Sequence, residues 1–434
     1  MKKLLLIYSM WMLTLSAAFA QQTGGSNLLD VTVGEHVDGS TPTDSLTTDS
    51  LVADTLALDT ISEPVALPWP QNVQARLDAI LKSRQFQTTQ IALQVYDLTA
   101  DSVIYQYNER QQMRPASTMK MINAVTSLDR LGGSYQFKTR LYYTGKVDSC
   151  VLRGNLYCKG GMDPAFNVDD LNAFVESVKK LGVDTIRGNI YADLSMKDTD
   201  RWGEGWCWDD DNPSLSPLLV GKKDRFMSRF VKELRDARIV FIGDTLRATT
   251  PAGATELCAR FHTMDQILMR MMKNSDNLYA ESMFYQLAAL GNRKATAKTG
   301  REHVNRLIQK LGLNPGNYYI ADGSGLSLYN YVSAELEVAF LRYAYRNSNI
   351  YTPLLTSMPI AGVDGTLENR MRTGFARGNV KAKTGTVTGV SALAGYLTAA
   401  NGHRLCFSII NQGQRKATTV RPYQDRICEA LCKP

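Results

Sequence analysis

The sequence predicts a mixed α/β (α+β) protein whose folded part divides into two lobes. Three observations carry that expectation. Behind Pro115-Ala116, the apolar residues Met119, Ile122, Ala124, Val125, Leu128 and Leu131 fall at helical spacing, and a proline just ahead of such a run marks a helix start. From Lys383 onward the pattern changes. Residues 383–389, residues 391–398, an Asn401-Gly402 turn and residues 405–410 read as strand, strand, hairpin turn, strand. About 365 residues remain once the N-terminal segments are set aside, more than one typical core holds.

Taken in order, residues 1–20 read as a secretory signal. Lys2 and Lys3 form the charged start, residues 4–15 are apolar, and Ala18-Phe19-Ala20 suits a small-residue cleavage site. An uncleaved anchor is the competing reading. No cysteine precedes Cys150, which excludes a lipid-modified N-terminal cysteine, and no later stretch is long and apolar enough to span a bilayer. No transmembrane anchor is therefore expected after cleavage. Residues 21–66 contain no lysine or arginine. Asp44, Asp49, Asp54 and Asp59 recur every five residues, a period that fits neither helix nor strand, so this segment is expected to be a disordered linker, with a docking peptide as the functional variant.

Beyond residue 66 the chain has 47 basic against 34 acidic residues, a net charge of about +13. Such a body suits an anionic polymer. Nucleic acid is not expected, because the chain reads as exported and has no binding motif. His36, His262, His303 and His403 are scattered and the seven cysteines form no metal pattern, so no metal, no cofactor and no histidine triad are expected. Cys150 and Cys158 flank Arg153-Gly154-Asn155 symmetrically and Cys428 and Cys432 lie one helical turn apart. Export permits disulfides, but the odd count leaves at least one thiol unpaired.

The chemistry sits in three short strings: Ser117-Thr118-Met119-Lys120, Ser275-Asp276-Asn277 and Lys383-Thr384-Gly385. S-x-x-K, S-x-N and K-T-G in this order are the parts of a serine acyl-transfer site that works without histidine. Decoys are separated by context. A second S-x-x-K, Ser177 to Lys180, lies inside an amphipathic helix, and a second K-T-G at Lys298 sits in a polar loop entering a helix. A serine hydroxyl needs a base, and a charged lysine cannot serve. Burial and a second cation lower a lysine pKa. Lys120, one turn from Ser117 and facing Lys383, is expected to be that base. Ser275 is expected to relay a proton, and Asn277 to hold Lys120 and the substrate amide. Asp276 is given no role.

With these strings placed, the chain resembles, from about residue 70 to its end, the low-molecular-mass class C penicillin-binding proteins, D-alanyl-D-alanine carboxypeptidases and endopeptidases of the peptidase S13 type. Further strings carry the likeness: Gly160-Gly161-Met162-Asp163-Pro164, Trp206-Cys207-Trp208-Asp209-Asp210 (a W-x-W-x-D stretch) and Asp322-Gly323-Ser324-Gly325-Leu326-Ser327. The resemblance implies a transpeptidase/β-lactamase-like antiparallel five-stranded sheet flanked by helices, split into residues 67–140 and 261–434, with an inserted domain at 141–260 over the active-site mouth. A further domain nested in that insert is expected to be absent or reduced. It also implies that the backbone N–H groups of Ser117 and Thr386 form the oxyanion hole. Lys383, Thr384, Gly385 and Thr386 form the strand that binds the terminal carboxylate, and Asp210 faces the amine of a diaminopimelate-like side chain.

The expected substrate is a peptidoglycan stem peptide, the expected inhibitors are β-lactams, and the expected place is the periplasm. One departure stands out: Leu328 follows the D-G-S-G-L-S string where many members carry an arginine. The same string is expected to be a turn that supports Ser275, with Gly323 and Gly325 giving it backbone freedom. The rivals are a serine β-lactamase, which usually lacks a large insert between the first two motifs, and a non-catalytic wall-binding penicillin sensor.

Overall fold

The computed structural model describes residues 67–210, 212–291 and 293–434. The expected signal and linker, residues 1–66, lie outside the described residues. The chain opens with helices α1 (Gln71–Leu81) and α2 (Gln85–Thr88), then hairpin strands β1 (Gln90–Asp97) and β2 (Ser102–Tyr107). A 3₁₀ turn, Ala116–Thr118, leads into α3 (Met119–Leu131). Next come β3 (Gln136–Tyr143), β4 (Lys146–Asp148), β5 (Val151–Arg153), β6 (Leu156–Lys159), α4 (Val168–Lys180), β7 (Thr185–Arg187) and β8 (Ile190–Asp193). They are followed by α5 (Phe226–Asp236), β9 (Val240–Ile242), β10 (Thr245–Arg247) and β11 (Thr255–Thr263). The helical run α6 (Met264–Lys273), α7 (Asn277–Ala288), α8 (Ala297–Lys310), α9 (Ala334–Tyr345) and α10 (Ser348–Ser357) precedes β12 (Lys381–Val387), β13 (Val390–Thr398), β14 (Arg404–Gln412) and the closing helix α11 (Arg421–Cys432).

The central sheet has the order β12-β13-β14-β1-β2 and is antiparallel throughout. Side chains alternate across a strand, and here that alternation feeds two cores. Ile91, Leu93 and Val95 of β1 pack with Leu393, Phe407 and Ile409 against α1 and α11. Ala92 and Tyr96 face the other way, with Ala392, Ala394 and Ile410, against α3, α6, α7 and α9. Both faces being covered explains why β13 and β14 read as near-continuous apolar runs.

A third core, including Leu141, Leu156, Phe166, Phe174, Phe226 and Phe230, belongs to the segment between α3 and α6. That segment carries two further sheets, β10-β8-β6-β3-β11 and β4-β5-β7-β9. The boundaries expected at 140 and 261 fall inside β3 and β11, which pair along their length from Gln136↔Thr263 to Tyr143↔Thr255. This ladder carries the chain out of and back into the helical layer. All seven cysteines are free thiols, with Cys150 exposed and Cys158 buried, so neither considered bridge forms. The decoy Ser177 lies within α4, its hydroxyl donating to the Phe174 carbonyl, and Lys298 sits in the first turn of α8 rather than on a strand.

Candidate active site

The three strings meet. The half-buried Ser117 ends up two residues ahead of α3, and Lys120 is carried beneath it, fully buried, by the first turn of that helix. Lys120 Nζ lies 2.8 Å from Ser117 Oγ, 2.7 Å from Asn277 Oδ1 and 2.7 Å from the Ser324 carbonyl. A neutral amine has two N–H donors and one lone pair. Two of these contacts are obligate acceptors that take both donors, so the lone pair is left facing the Ser117 hydroxyl.

Burial pushes the Lys120 ammonium down to about 8, while Asp322, Glu281 and Asp276 pull it partly back up. Lys383, also fully buried, is held well below the ordinary lysine value, first by burial and then by the Lys120 charge. Burial, one of the two conditions expected to lower Lys120, is thus the largest cause at both lysines, and repulsion between the two amines opposes both being charged at once. Lys383 Nζ donates to Ser275 Oγ at 2.9 Å and to the Thr384 carbonyl at 2.7 Å.

Backbone geometry fixes these side chains. Ser275 joins α6 to α7 at φ 57, the left-handed region that a serine enters at a cost. Gly385 brings β12 against the nucleophile turn. A Cβ there would lie 2.6 Å from the Pro115 carbonyl oxygen and 3.1 Å from the Ser117 nitrogen. Gly325, at φ +80, presses from another side, where a Cβ would meet the Ala116 carbonyl oxygen at 1.8 Å.

Asp322 is the hub of the Gly325 loop. It accepts from the Trp206 indole at 2.9 Å, from the Gly325 and Ser327 amides at 2.8 and 2.7 Å, and from Asn330 Nδ2 at 2.8 Å. The loop's Ser324 carbonyl is a ligand of Lys120, so the string supports the base rather than Ser275 as expected.

These residues match the D-Ala-D-Ala carboxypeptidase 3 (S13) family over 73–219 and 219–431. The chain belongs to this family. It is a hydrolase of the D-Ala-D-Ala carboxypeptidase type. It is 27% identical over 397 residues to the D-alanyl-D-alanine carboxypeptidase DacB of Haemophilus influenzae, covering 72% of this chain and 83% of that protein. It is 28% identical over 437 residues to the D-alanyl-D-alanine carboxypeptidase of Actinomadura sp. (strain R39), covering 78% and 80%. The crystal structure of penicillin binding protein 4 (dacB) from H. influenzae superposes with a TM-score of 0.75 at 24% identity, covering 82% of this chain and 98% of that one. The same protein complexed with a β-lactam gives 0.69 at 25% identity, covering 84% and 100%.

In this S13 chain a cavity of about 490 Å³ opens on Ser275 and Asn277, with Asn212, Ser214, Lys222 and Asp224 on its other wall. Asp276 turns from the nucleophile to pair with Lys222 and, at 3.1 Å, with Arg270. Asp210 is exposed, its amide donating to the Cys207 carbonyl beside Trp208, which is 84% exposed, and the residues lining this cavity do not include it. Leu328 is half-buried, its amide donating to the Gly205 carbonyl, so this position supplies no cation. A cation stands elsewhere. Arg421, at the start of α11, donates to Thr386 Oγ1 at 3.2 Å, while Thr384 Oγ1 donates to Thr366 Oγ1 at 2.7 Å.

Sequence reasoning missed Arg421 and two buried acids. Glu281 accepts from the Gly323 and Ser324 amides at 3.2 and 2.8 Å, and burial, then Asp322, push its carboxyl up to about 8. Its spacing of four from Asn277, one turn down the same helix face, was the available clue. Glu337 accepts from Thr118 Oγ1 at 2.5 Å and Ser408 Oγ at 2.7 Å, and burial pushes it up to about 7.

Proposed function

We propose that this chain is a periplasmic serine D-Ala-D-Ala carboxypeptidase/endopeptidase that trims peptidoglycan stem peptides through a Ser117 acyl-enzyme, with residues 67–140 and 261–434 as the catalytic lobe and 141–260 as the insert walling its mouth. The observation that carries it is the Lys120 amine, whose donors are engaged and whose lone pair faces Ser117 Oγ. Ser117 Oγ bonds to the carbonyl carbon between the two terminal D-alanines as its proton moves to Lys120 Nζ. The tetrahedral oxyanion lies between the Ser117 and Thr386 amides, where one such donor typically contributes about 3 kcal/mol. The C–N bond then breaks, and the leaving amine takes its proton by way of Ser275. Water attacks the resulting ester and frees Ser117.

Lys383, Thr384 and Thr386 bind the terminal carboxylate, with Arg421 beside them. Binding that carboxylate favours a charged Lys383, which in turn makes Lys120 easier to deprotonate. Asn277 orients Lys120 and the substrate amide, and Asp210 meets an amine farther along the stem. A β-lactam acylates the same oxygen and leaves slowly.

The test is release of D-alanine from a soluble D-Ala-D-Ala peptide, together with covalent labelling by a fluorescent penicillin. Wild type should do both and Ser117→Ala neither. Rapid multiple turnover of a chromogenic cephalosporin would overturn the assignment in favour of a β-lactamase, and absence of both labelling and release would leave a binding module.

A further inference from the structure

A second, larger cavity of about 860 Å³ lies away from Ser117, and five cationic side chains line it: Lys138, Arg140, Lys159, Arg293 and Lys294. No carboxylate is among its described lining residues. Arg140 and Arg293 each reach a peripheral glutamate, Glu256 and Glu302, at 3.5 Å. Lys138, Lys159 and Lys294 have no acidic partner among the described residues.

The arrangement works against the fold. Arg140 and Lys159 are directly opposed across the β3–β6 ladder, and like charges so placed are destabilising. Lys138 adds a third charge two residues along the same strand face. Helix dipoles do not account for this. Leu131 and Ala289 at the wall mark the C-terminal ends of α3 and α7, where a cation or two is favourable. Lys138, Arg140 and Lys159 instead stand on the sheet. A concave site that concentrates one sign of charge raises the local concentration of the opposite ion.

Position narrows the ligand. The N-terminal ends of α3 and α7 meet at Lys120 and Asn277, and Gln286, in the cavity wall, follows Asn277 by nine residues of α7. That is roughly 14 Å of helix rise, a span within reach of one extended polymer occupying both places. We infer that this cavity is a secondary binding site for the free carboxylates of a peptidoglycan strand, holding one part of the polymer while another part is cleaved at Ser117. The inference rests on the proposed peptidoglycan substrate.

The experiment compares wild type with the Lys138→Gln, Lys159→Gln, Lys294→Gln triple variant. Two readouts are used: co-sedimentation with purified sacculi freed of attached phosphate polymers, and kcat/KM on a short D-Ala-D-Ala peptide. The triple variant should bind sacculi on the order of tenfold more weakly at low salt, with kcat/KM on the short peptide unchanged, and the difference should vanish as salt screens the site. Sacculi whose carboxyl groups have been amidated should bind both proteins equally weakly.

Unchanged sedimentation of the variant overturns the inference. So does full binding to amidated sacculi, or competition by inorganic polyphosphate but not by polyglutamate. If wild type fails to cleave the short peptide, the catalytic reading fails while sedimentation still reads this site. If the triple variant takes up no penicillin, single Lys159→Gln, which relieves the opposed charge pair, carries the same readouts.

Discussion

The amine of Lys120 and the hydroxyl of Ser117 stand 2.8 Å apart at one end of α3, and no histidine intervenes. A general base of this kind typically accounts for 10²–10⁴ in rate. Lys120→Met is therefore expected to lower the acylation rate on a D-Ala-D-Ala peptide by on the order of 10³. Stopped-flow labelling with a fluorescent penicillin measures it, and a loss under tenfold would remove Lys120 from the role of base.

The pH profile follows from the same amine. Lys120 acts when neutral, and burial brings it down to about 8. The acid limb of kcat/KM should thus rise through about pH 8. Carboxylates hold the lysine up, Asp322 more than Glu281. Glu281, itself raised to about 8, takes up charge over the same range, so in Glu281→Gln the upper part of the acid limb should move to lower pH. A limb that moves the other way, or stays fixed, contradicts this electrostatic account.

Gly385 tests the packing of β12 on the nucleophile turn. In Gly385→Ala the new methyl lies 2.6 Å from the Pro115 oxygen, so the strand must withdraw from Ser117. Displacements of about 1 Å at such a site can cost 10²-fold. We expect a loss of that order in kcat/KM with a nearly unchanged melting temperature, and an active Gly385→Ala enzyme would show that the contact is slack.

Arg421 offers a test at the rim. Arg421→Ala should raise KM for a peptide with a free terminal carboxylate by roughly fivefold, the scale of an exposed charged contact, with little change in kcat. A peptide amidated at that terminus should show no difference between the two proteins. A fall in kcat with KM unchanged would place the arginine elsewhere in the cycle.

Glu337 links the nucleophile turn to stability. Its carboxyl titrates at 4.5 when free, and burial raises it to about 7 in the folded protein. Between these values the unfolded chain has lost a proton that the folded chain keeps. Stability should therefore fall as pH rises from about 4.5 to 7, and level off above. Glu337→Gln, which mimics the protonated form, should flatten this part of the thermal melting curve against pH. An identical slope in the variant would mean that the acid is charged in the fold.

Much of this was legible because it is local. Ser117 and Lys120 share one helical turn, the helical spacing after Pro115 is regular, and the last two strands are apolar runs on either side of an Asn-Gly turn. Glu337 was not legible, since its hydroxyl partners lie 219 and 71 residues away and its own helix shows an ordinary acidic start. The true partner of the Asp322 loop was hidden for the same reason, because only the folded chain brings Ser324 to Lys120, 204 residues earlier. The paired cations of β3 and β6 carry no mark in the sequence, since only the register sets Arg140 opposite Lys159. That the lobe boundary falls inside two paired strands was hidden too, because β3 and β11 are far apart in sequence and only their register brings them together.

Gly325 and Gly385 grip the Ser117 turn from two sides, each leaving no room for a methyl group. The nucleophile turn is thus clamped by two positions that tolerate only a hydrogen atom, and a larger side chain at either one must shift the backbone that carries the serine oxygen.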